Sequence, residues 1–181
     1  MSKIIALYSP AAQSGKSTIA HALNGAGYRT IKFAGILKDM IRTMLLGAGI
    51  PYDVVERMVE GDLKEKPIRF PGFEVTPRHL MQTLGTEWGR NINANLWADL
   101  TINKASQAAG KVIIDDMRFP NEFNAVRAAG GITIKVVRPG VERPANCHPS
   151  EGQLDDFPFD YVVVNDGTVD KLTTQVLNLL S

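Results

Sequence analysis

The stretch from Ile4 to Thr18, IIALYSPAAQSGKST, constrains the fold more than any other part of the chain. Ile4 to Tyr8 is a short apolar run rich in strand formers. The residues after it are small and polar, and from about Lys16 the pattern turns helical. Strand, loop and helix in that order, with Gly15-Lys16-Ser17 at the turn into the helix, match a phosphate-binding P-loop. The chemistry explains the residue types. Backbone N–H groups of such a loop point at a phosphate, the helix N-terminus adds positive potential, the lysine reaches the β/γ-phosphates and the serine hydroxyl ligates Mg²⁺. One departure stands out: the full pattern has glycine five positions before Gly15, and this chain has Pro10, with a fixed negative φ and no N–H.

The alternation recurs. Thr30 to Phe33, Val112 to Asp115, Ile132 to Val137 and Tyr161 to Val164 are further strand candidates, with helical patterns between them. Continuous apolar runs mark strands buried on both faces, so five of them separated by helices predict an α/β fold with a parallel sheet covered by helices on both sides. Two connections are unusual. From about Ala34 to Gly110 the chain is far longer than one crossover helix requires, which predicts an insertion. Within it, Ile36 to Leu46 and Tyr52 to Glu60 read as helices, and residues 67–77 as a small hairpin around Pro71-Gly72. Thr76 with Pro77 reads as an N-cap and first helical position, opening a helix that runs to near Gly89, and Leu96 to Ala109 as one more helix. The second connection, Pro139 to Pro158, is irregular over about 20 residues, the length at which loops serve as lids or binding loops; a surface excursion is the alternative.

Composition narrows the class. With 181 residues, 20 Lys+Arg against 19 Asp+Glu and 44% hydrophobic residues, the chain can bury a core of its own and carries no charge excess that would favour nucleic acid or an anionic membrane. No apolar run approaches the roughly 20 residues of a membrane span, and the N-terminal residues show no signal-peptide pattern. The one cysteine, Cys147, cannot form an internal disulfide, and a cytoplasmic location is expected. Neither nucleic acid nor membrane is an expected partner.

Val112 to Asp115 has the form of a strand that ends in a metal-supporting carboxylate. Asp115 or Asp116 is the candidate for helping Ser17 place Mg²⁺, with helix capping as the competing role. The Asn-Lys pair Asn103-Lys104 is followed by Ala105-Ser106, which does not fit the base-reading motif of GTPases. A hydroxyl acceptor benefits from a carboxylate base, whereas a monophosphate is already anionic and needs cations instead. Arg42, Arg90, Arg118, Arg138 and Arg143 fall at candidate site positions and could supply the guanidinium forks. Trp88 and Trp97 read first as packing residues. His21 and His79 have no evident partner, and nothing requires an acid–base role of His148. Asn165-Asp166-Gly167 forms a turn before a helix whether or not it touches a ligand.

Taken together, SGKST, Phe33-Ala34-Gly35-Ile36-Leu37-Lys38, QTLGTEWGR at 82–90, DDMRFPNE at 115–122, VVRPG at 136–140, HPSE at 148–151 and DYVVVNDGT at 160–168 make the chain resemble the deoxynucleoside monophosphate kinases of bacteriophages, a branch of the P-loop nucleoside monophosphate kinases. Besides Pro10, it departs from them at Gly35-Ile36, where an acidic-Pro pair is more common. The resemblance implies a three-layer P-loop kinase fold with sheet order 2-3-1-4-5. It implies a core of residues 1–34, 110–138 and 159–181, a helical monophosphate-binding insertion at about 35–109 and a lid at about 139–158. It implies ATP and Mg²⁺ as cofactors and a deoxynucleoside monophosphate as substrate, in the host cytoplasm if the chain is phage-encoded; a homodimer through the insertion stays open. By position, Gln13, Ser14, Gly15, Lys16, Ser17 and Thr18 would cradle the ATP phosphates, with Lys16 stabilising the transferred group, and Asn165 and Gly167 would lie at the adenine. Lys38 and Arg42, one helical turn apart, would face the acceptor phosphate. Gln82, Thr86 and Arg90, on roughly one helical face, with Glu87 and Trp88, would read the base or sugar, and Arg118, Arg138 and Arg143 would neutralise the charge in transit. Two other functions fit the same motifs: a P-loop kinase of a hydroxyl such as that of dephospho-coenzyme A, with Asp115 or Asp116 as base, and a catalytically silent nucleotide-binding protein.

Overall fold

The computed structural model describes residues 4–11, 13–141 and 152–180. They group into two compact units, Met1–Phe33 with Thr101–Ser181, and Ala34–Leu100. The first unit is built on five parallel strands: β1 (Ile4–Tyr8), β2 (Tyr28–Ile31), β5 (Lys111–Ile114), β6 (Ile132–Val137) and β7 (Tyr161–Val164). They lie in the order β2-β5-β1-β6-β7. Counted along the chain without the hairpin of the other unit, that is 2-3-1-4-5. The central strand β1 is buried at every position, as its unbroken apolar run requires. The second strand lies two residues earlier than its sequence suggests, because Tyr28 and Ile31 are the residues it buries while Arg29 faces water.

Helices cover both faces. Helix α1 (Lys16–Gly25) and helix α7 (Val169–Leu180) pack together, placing Ile19, Leu23, Leu172 and Val176 in one core cluster with Ile5, Leu7, Ile113, Ile134 and Val163 of the sheet. Each fully buried side chain of this size contributes about 1.5–3 kcal/mol relative to exposure. Side chains alternate along a strand, so Tyr8 points to the opposite face from Leu7. There it stacks on Phe159, which meets the edge of Phe123 from helix α6 (Pro120–Ala128).

The start of β6 is clamped to the residue before β7. Asp160 accepts the backbone N–H and the hydroxyl of Thr133 at 2.8 and 2.7 Å and receives Arg127 Nη1 at 2.9 Å. Burial pushes the Asp160 carboxyl up, but these donors outweigh it and hold the group below its ordinary value.

The second unit contains helices α2 (Gly35–Gly47) and α3 (Tyr52–Val59), the hairpin β3 (Ile68–Phe70) and β4 (Phe73–Val75), and helix α4 (Pro77–Thr83). Ile41, Leu45, Val55, Val59 and Ile68 form its core. Pro71-Gly72 makes the hairpin turn, with Gly72 at φ 93, and Thr76 Oγ1 caps α4 by accepting the N–H of His79. The helix expected to run on to Gly89 does not keep its winding: from Leu84 to Arg90 it is π-helical. Helix α5 (Leu96–Gln107) follows.

Candidate active site

At the exit of β1 the chain turns through residues held in uncommon conformations. Gln13 adopts φ 57 and Gly15 φ 106, so a non-glycine residue takes a left-handed step inside a loop that opens with Pro10. The capping residue of α1 is Gly15, which offers no side chain, and the first turn, Lys16-Ser17-Thr18, carries no acid. A helix N-terminus of this kind favours an anion, since its first N–H groups have no partner within the helix and its dipole is positive there.

This terminus opens on a cavity of about 270 Å³ lined by Gln13 to Thr18, Arg138, Asn165, Gly167, Val169 and Leu172. The parallel sheet is the reason these residues meet. Tyr8 pairs with Lys135 and Val137 with Val164, so β1, β6 and β7 end at the same edge, and the residues that follow each strand gather there. All eight residues expected at ATP therefore line one cavity, together with Arg138. Val169 and Leu172 were not expected; as apolar residues of α7 they read only as core. Arg138 Nη1 donates to Gln13 O at 3.1 Å, and Asn165 Nδ2 to Ser14 O at 2.9 Å. Gly15 has a second reason to lack a side chain: a Cβ there would stand 2.7 Å from Asn165 Nδ2 and 2.9 Å from Leu172 Cδ2.

The two aspartates after β5 differ. Asp116 Oδ1 accepts the N–H of Phe33 at 2.8 Å, tying the exit of β2 to that of β5. Asp115 has a largely buried side chain whose Oδ2 lies 3.9 Å from Lys32 Nζ, while its Oδ1 is buried with no hydrogen-bond partner among the described residues. A buried carboxylate oxygen in that state is costly unless something else, a cation or its water, engages it. Among the described residues no three His, Cys, Asp or Glu side chains cluster as a metal cage. Asp115 is not among the residues that line the cavity, whereas Ser17 is; the unpaired oxygen and the hydroxyl are each donors of the kind Mg²⁺ takes, an ion commonly held by few protein ligands with phosphates and water supplying the rest.

Arg118 is exposed at the loop before α6, where its backbone N–H and that of Phe119 donate to the buried Glu122 carboxylate at 2.7 and 3.1 Å. Arg143, and with it Cys147 and His148, lies outside the described residues. The end of the expected lid is anchored: Leu154 is fully buried, and Asp155 receives the Tyr8 hydroxyl at 2.5 Å and, on its carbonyl, Lys135 Nζ at 2.7 Å. Asp155 is thus a partner of Tyr8.

In the unit Ala34–Leu100 the expected acceptor residues divide. Arg42 makes four hydrogen bonds to carboxylates: two to Glu56 at 2.7 and 3.2 Å, one to Asp39 at 2.9 Å and one to Glu60 at 2.9 Å. Lys38 Nζ reaches Glu60 at 2.7 Å. The bonds to Glu56 and Glu60 outweigh burial and raise the Arg42 pKa further. Arg42 therefore braces α2 against α3. Gln82, Thr86 and Glu87 are exposed and Arg90 half-buried. Gln82 lies near the end of α4, and Thr86 and Arg90 lie four residues apart in the π-helical stretch that follows it. The tryptophans differ: Trp97 is buried and donates to Gly85 O at 2.8 Å, whereas Trp88, 48% exposed, leans on it with ring centroids 6.3 Å apart.

A family model described as deoxynucleotide monophosphate kinase matches residues 73–176, more than half of the chain. The chain belongs to the deoxynucleotide monophosphate kinase family. A putative deoxynucleotide monophosphate kinase of Acanthamoeba polyphaga mimivirus is 28% identical over 91% of this chain and 90% of its own length. The deoxynucleotide monophosphate kinase of Enterobacteria phage T4 is 33% identical over 57% of this chain, a match that spans 44% of the phage protein. The fold is shared with TT1252 of Thermus thermophilus (TM-score 0.53, 18% identity, 99% of this chain and 98% of that one). It is shared also with dephospho-CoA kinase from Campylobacter jejuni (TM-score 0.51, 12% identity, 99% and 96%).

Proposed function

We propose that the protein transfers the γ-phosphoryl group of ATP to a deoxynucleoside 5′-monophosphate, giving ADP and the deoxynucleoside diphosphate, in the host cytoplasm if a virus encodes it. The observation that carries this reading is the cavity at the N-terminus of α1, where a lysine, three hydroxyl residues and the loop backbone gather around one space. In this reading residues 1–34, 110–138 and 159–181 form the donor-binding core, residues 35–109 receive the monophosphate and residues 139–158 form the lid.

Loop amides and Lys16 hold the β- and γ-phosphates, and catalysis consists of positioning and charge neutralisation. Arg118, Arg138 and Arg143 add positive charge where the phosphoryl group passes. Ser17 and Asp115 would hold Mg²⁺, which when bound neutralises phosphate charge. Asp116 serves the fold through Phe33. The exposed set Gln82, Thr86, Glu87 and Trp88, with Arg90, meets the acceptor base or sugar, Lys38 its phosphate, and Arg42 keeps α2 and α3 in place for them.

A second reading, transfer to a hydroxyl, is favoured by Asp115 Oδ1, which has no hydrogen-bond partner among the described residues and could serve as base. ADP release from Mg·ATP, measured separately with the four deoxynucleoside monophosphates, their ribose counterparts and dephospho-coenzyme A, tests both. Turnover with one or more deoxynucleotides is expected. Turnover with dephospho-coenzyme A alone would establish the second reading, and ATP binding without ADP release from any acceptor would make the protein a nucleotide-binding protein.

A further inference from the structure

Asn165 stands at the exit of β7, where the family resemblance implies a residue that touches the adenine of ATP. Its side chain is engaged elsewhere. Asn165 Nδ2 donates to Ser14 O at 2.9 Å, and its backbone N–H donates to Val137 O at 2.7 Å, so the residue joins the P-loop to the exit of β6. A carbonyl oxygen only accepts, so the amide must present its NH₂ to Ser14. The contact is close on the next residue as well, where a Cβ on Gly15 would lie 2.7 Å from the same nitrogen. Ser14 is 99% buried, so water cannot readily replace this donor.

The peptide group is planar and trans, so holding the Ser14 carbonyl also fixes the direction of the Gly15 N–H. Arg138 does the same one residue earlier through Gln13 O. Gln13 at φ 57 is a left-handed conformation that a non-glycine residue keeps only where its surroundings hold it. We propose that Asn165 is a positioning residue of the P-loop: it sets the Ser14–Gly15 peptide for the polyphosphate chain of the donor and does not select the donor base. The inference rests on the reading of this cavity as the site of a nucleoside triphosphate.

Inorganic tripolyphosphate, which has no base, separates the two roles. Titration calorimetry with Mg·ATP and with Mg·tripolyphosphate is run on the wild-type chain, Asn165→Ala and Asn165→Asp. The alanine variant should lose affinity for both ligands by the same factor, roughly five- to tenfold. The near-isosteric aspartate puts an acceptor oxygen against Ser14 O and should lose more for both. Because Asn165 is half-buried at a loop, Ala, which only removes atoms, is compatible with folding even if Asp is not, which circular dichroism checks. Loss confined to ATP would make Asn165 a base reader and overturn the proposal, and so would unchanged affinity for both. A wild-type chain that binds ATP but not tripolyphosphate would overturn it too. A wild-type chain that binds neither would instead remove the donor-site reading beneath it.

Discussion

The strand exits of the sheet and the α2–α3 pair both collect basic side chains, and they use them in opposite ways. At the strand exits Lys16 and Arg138 line a cavity of about 270 Å³ beside a helix N-terminus with no acid in its first turn. Between α2 and α3, Arg42 is surrounded by Asp39, Glu56 and Glu60, and Lys38 shares Glu60 with it. A guanidinium that already has four carboxylate bonds has little left for a phosphate, whereas Lys16, the first residue of α1, lines a cavity together with the loop backbone.

Substitutions can break that contrast. The largest effect is expected from Lys16→Ala, which should reduce turnover by about a hundred- to thousandfold while the thermal midpoint stays within a few degrees, as steady-state kinetics and calorimetry would record. An active Lys16→Ala variant would end the assignment of the transferred phosphate to this residue. Gly89→Ala should destabilise the π-helical unit by about 1–3 kcal/mol, because a Cβ there would stand 2.4 Å from the Trp97 indole; a denaturant melt reads this directly. Arg42→Ala should act in the same kind of measurement. The partly exposed brace is worth about 0.5–1.5 kcal/mol, and the monophosphate KM should change less than threefold. A large rise in that KM with unchanged stability would return Arg42 to the acceptor site.

The smallest effect concerns pH. The Asp160 pKa is depressed in the folded chain, so its contribution to stability is present above the unfolded value of 3.8 and is lost as pH falls from there through the folded value. Asp160→Asn should flatten that part of the profile of thermal midpoint against pH, while the profile above about pH 5 keeps its shape.

Much of this was readable from the sequence, for reasons that differ by region. The strands β1 and β5 are legible because burial on both faces leaves unbroken apolar runs, β6 and β7 because they are rich in strand formers even though the edge strand β7 exposes Val162 and Val164, and the P-loop because its chemistry is local in the chain. The resemblance implies Asn165 and Gly167 at the donor and Arg138 at the charge in transit; they line one cavity because the parallel strands that precede them end at one edge. Val169 and Leu172 could not, because an apolar residue in a helix looks the same whether it faces a core or a cavity. The π-helical winding of Leu84–Arg90 was hidden because seven residues do not separate a period of 3.6 from a wider one. The Arg42 brace was hidden because its partners Glu56 and Glu60 lie on another helix, and nothing in their spacing announces the pairing.

The most direct test of the division between the two regions is amide shift mapping by proton–nitrogen NMR with Mg·ATP and, separately, a deoxynucleoside monophosphate. The account predicts that ATP moves the amides of Gln13 to Thr18, Asn165 and Gly167, and that the monophosphate moves those of Leu84 to Arg90. ATP shifts confined to Leu84 to Arg90, with Gln13 to Thr18 unmoved, would contradict it.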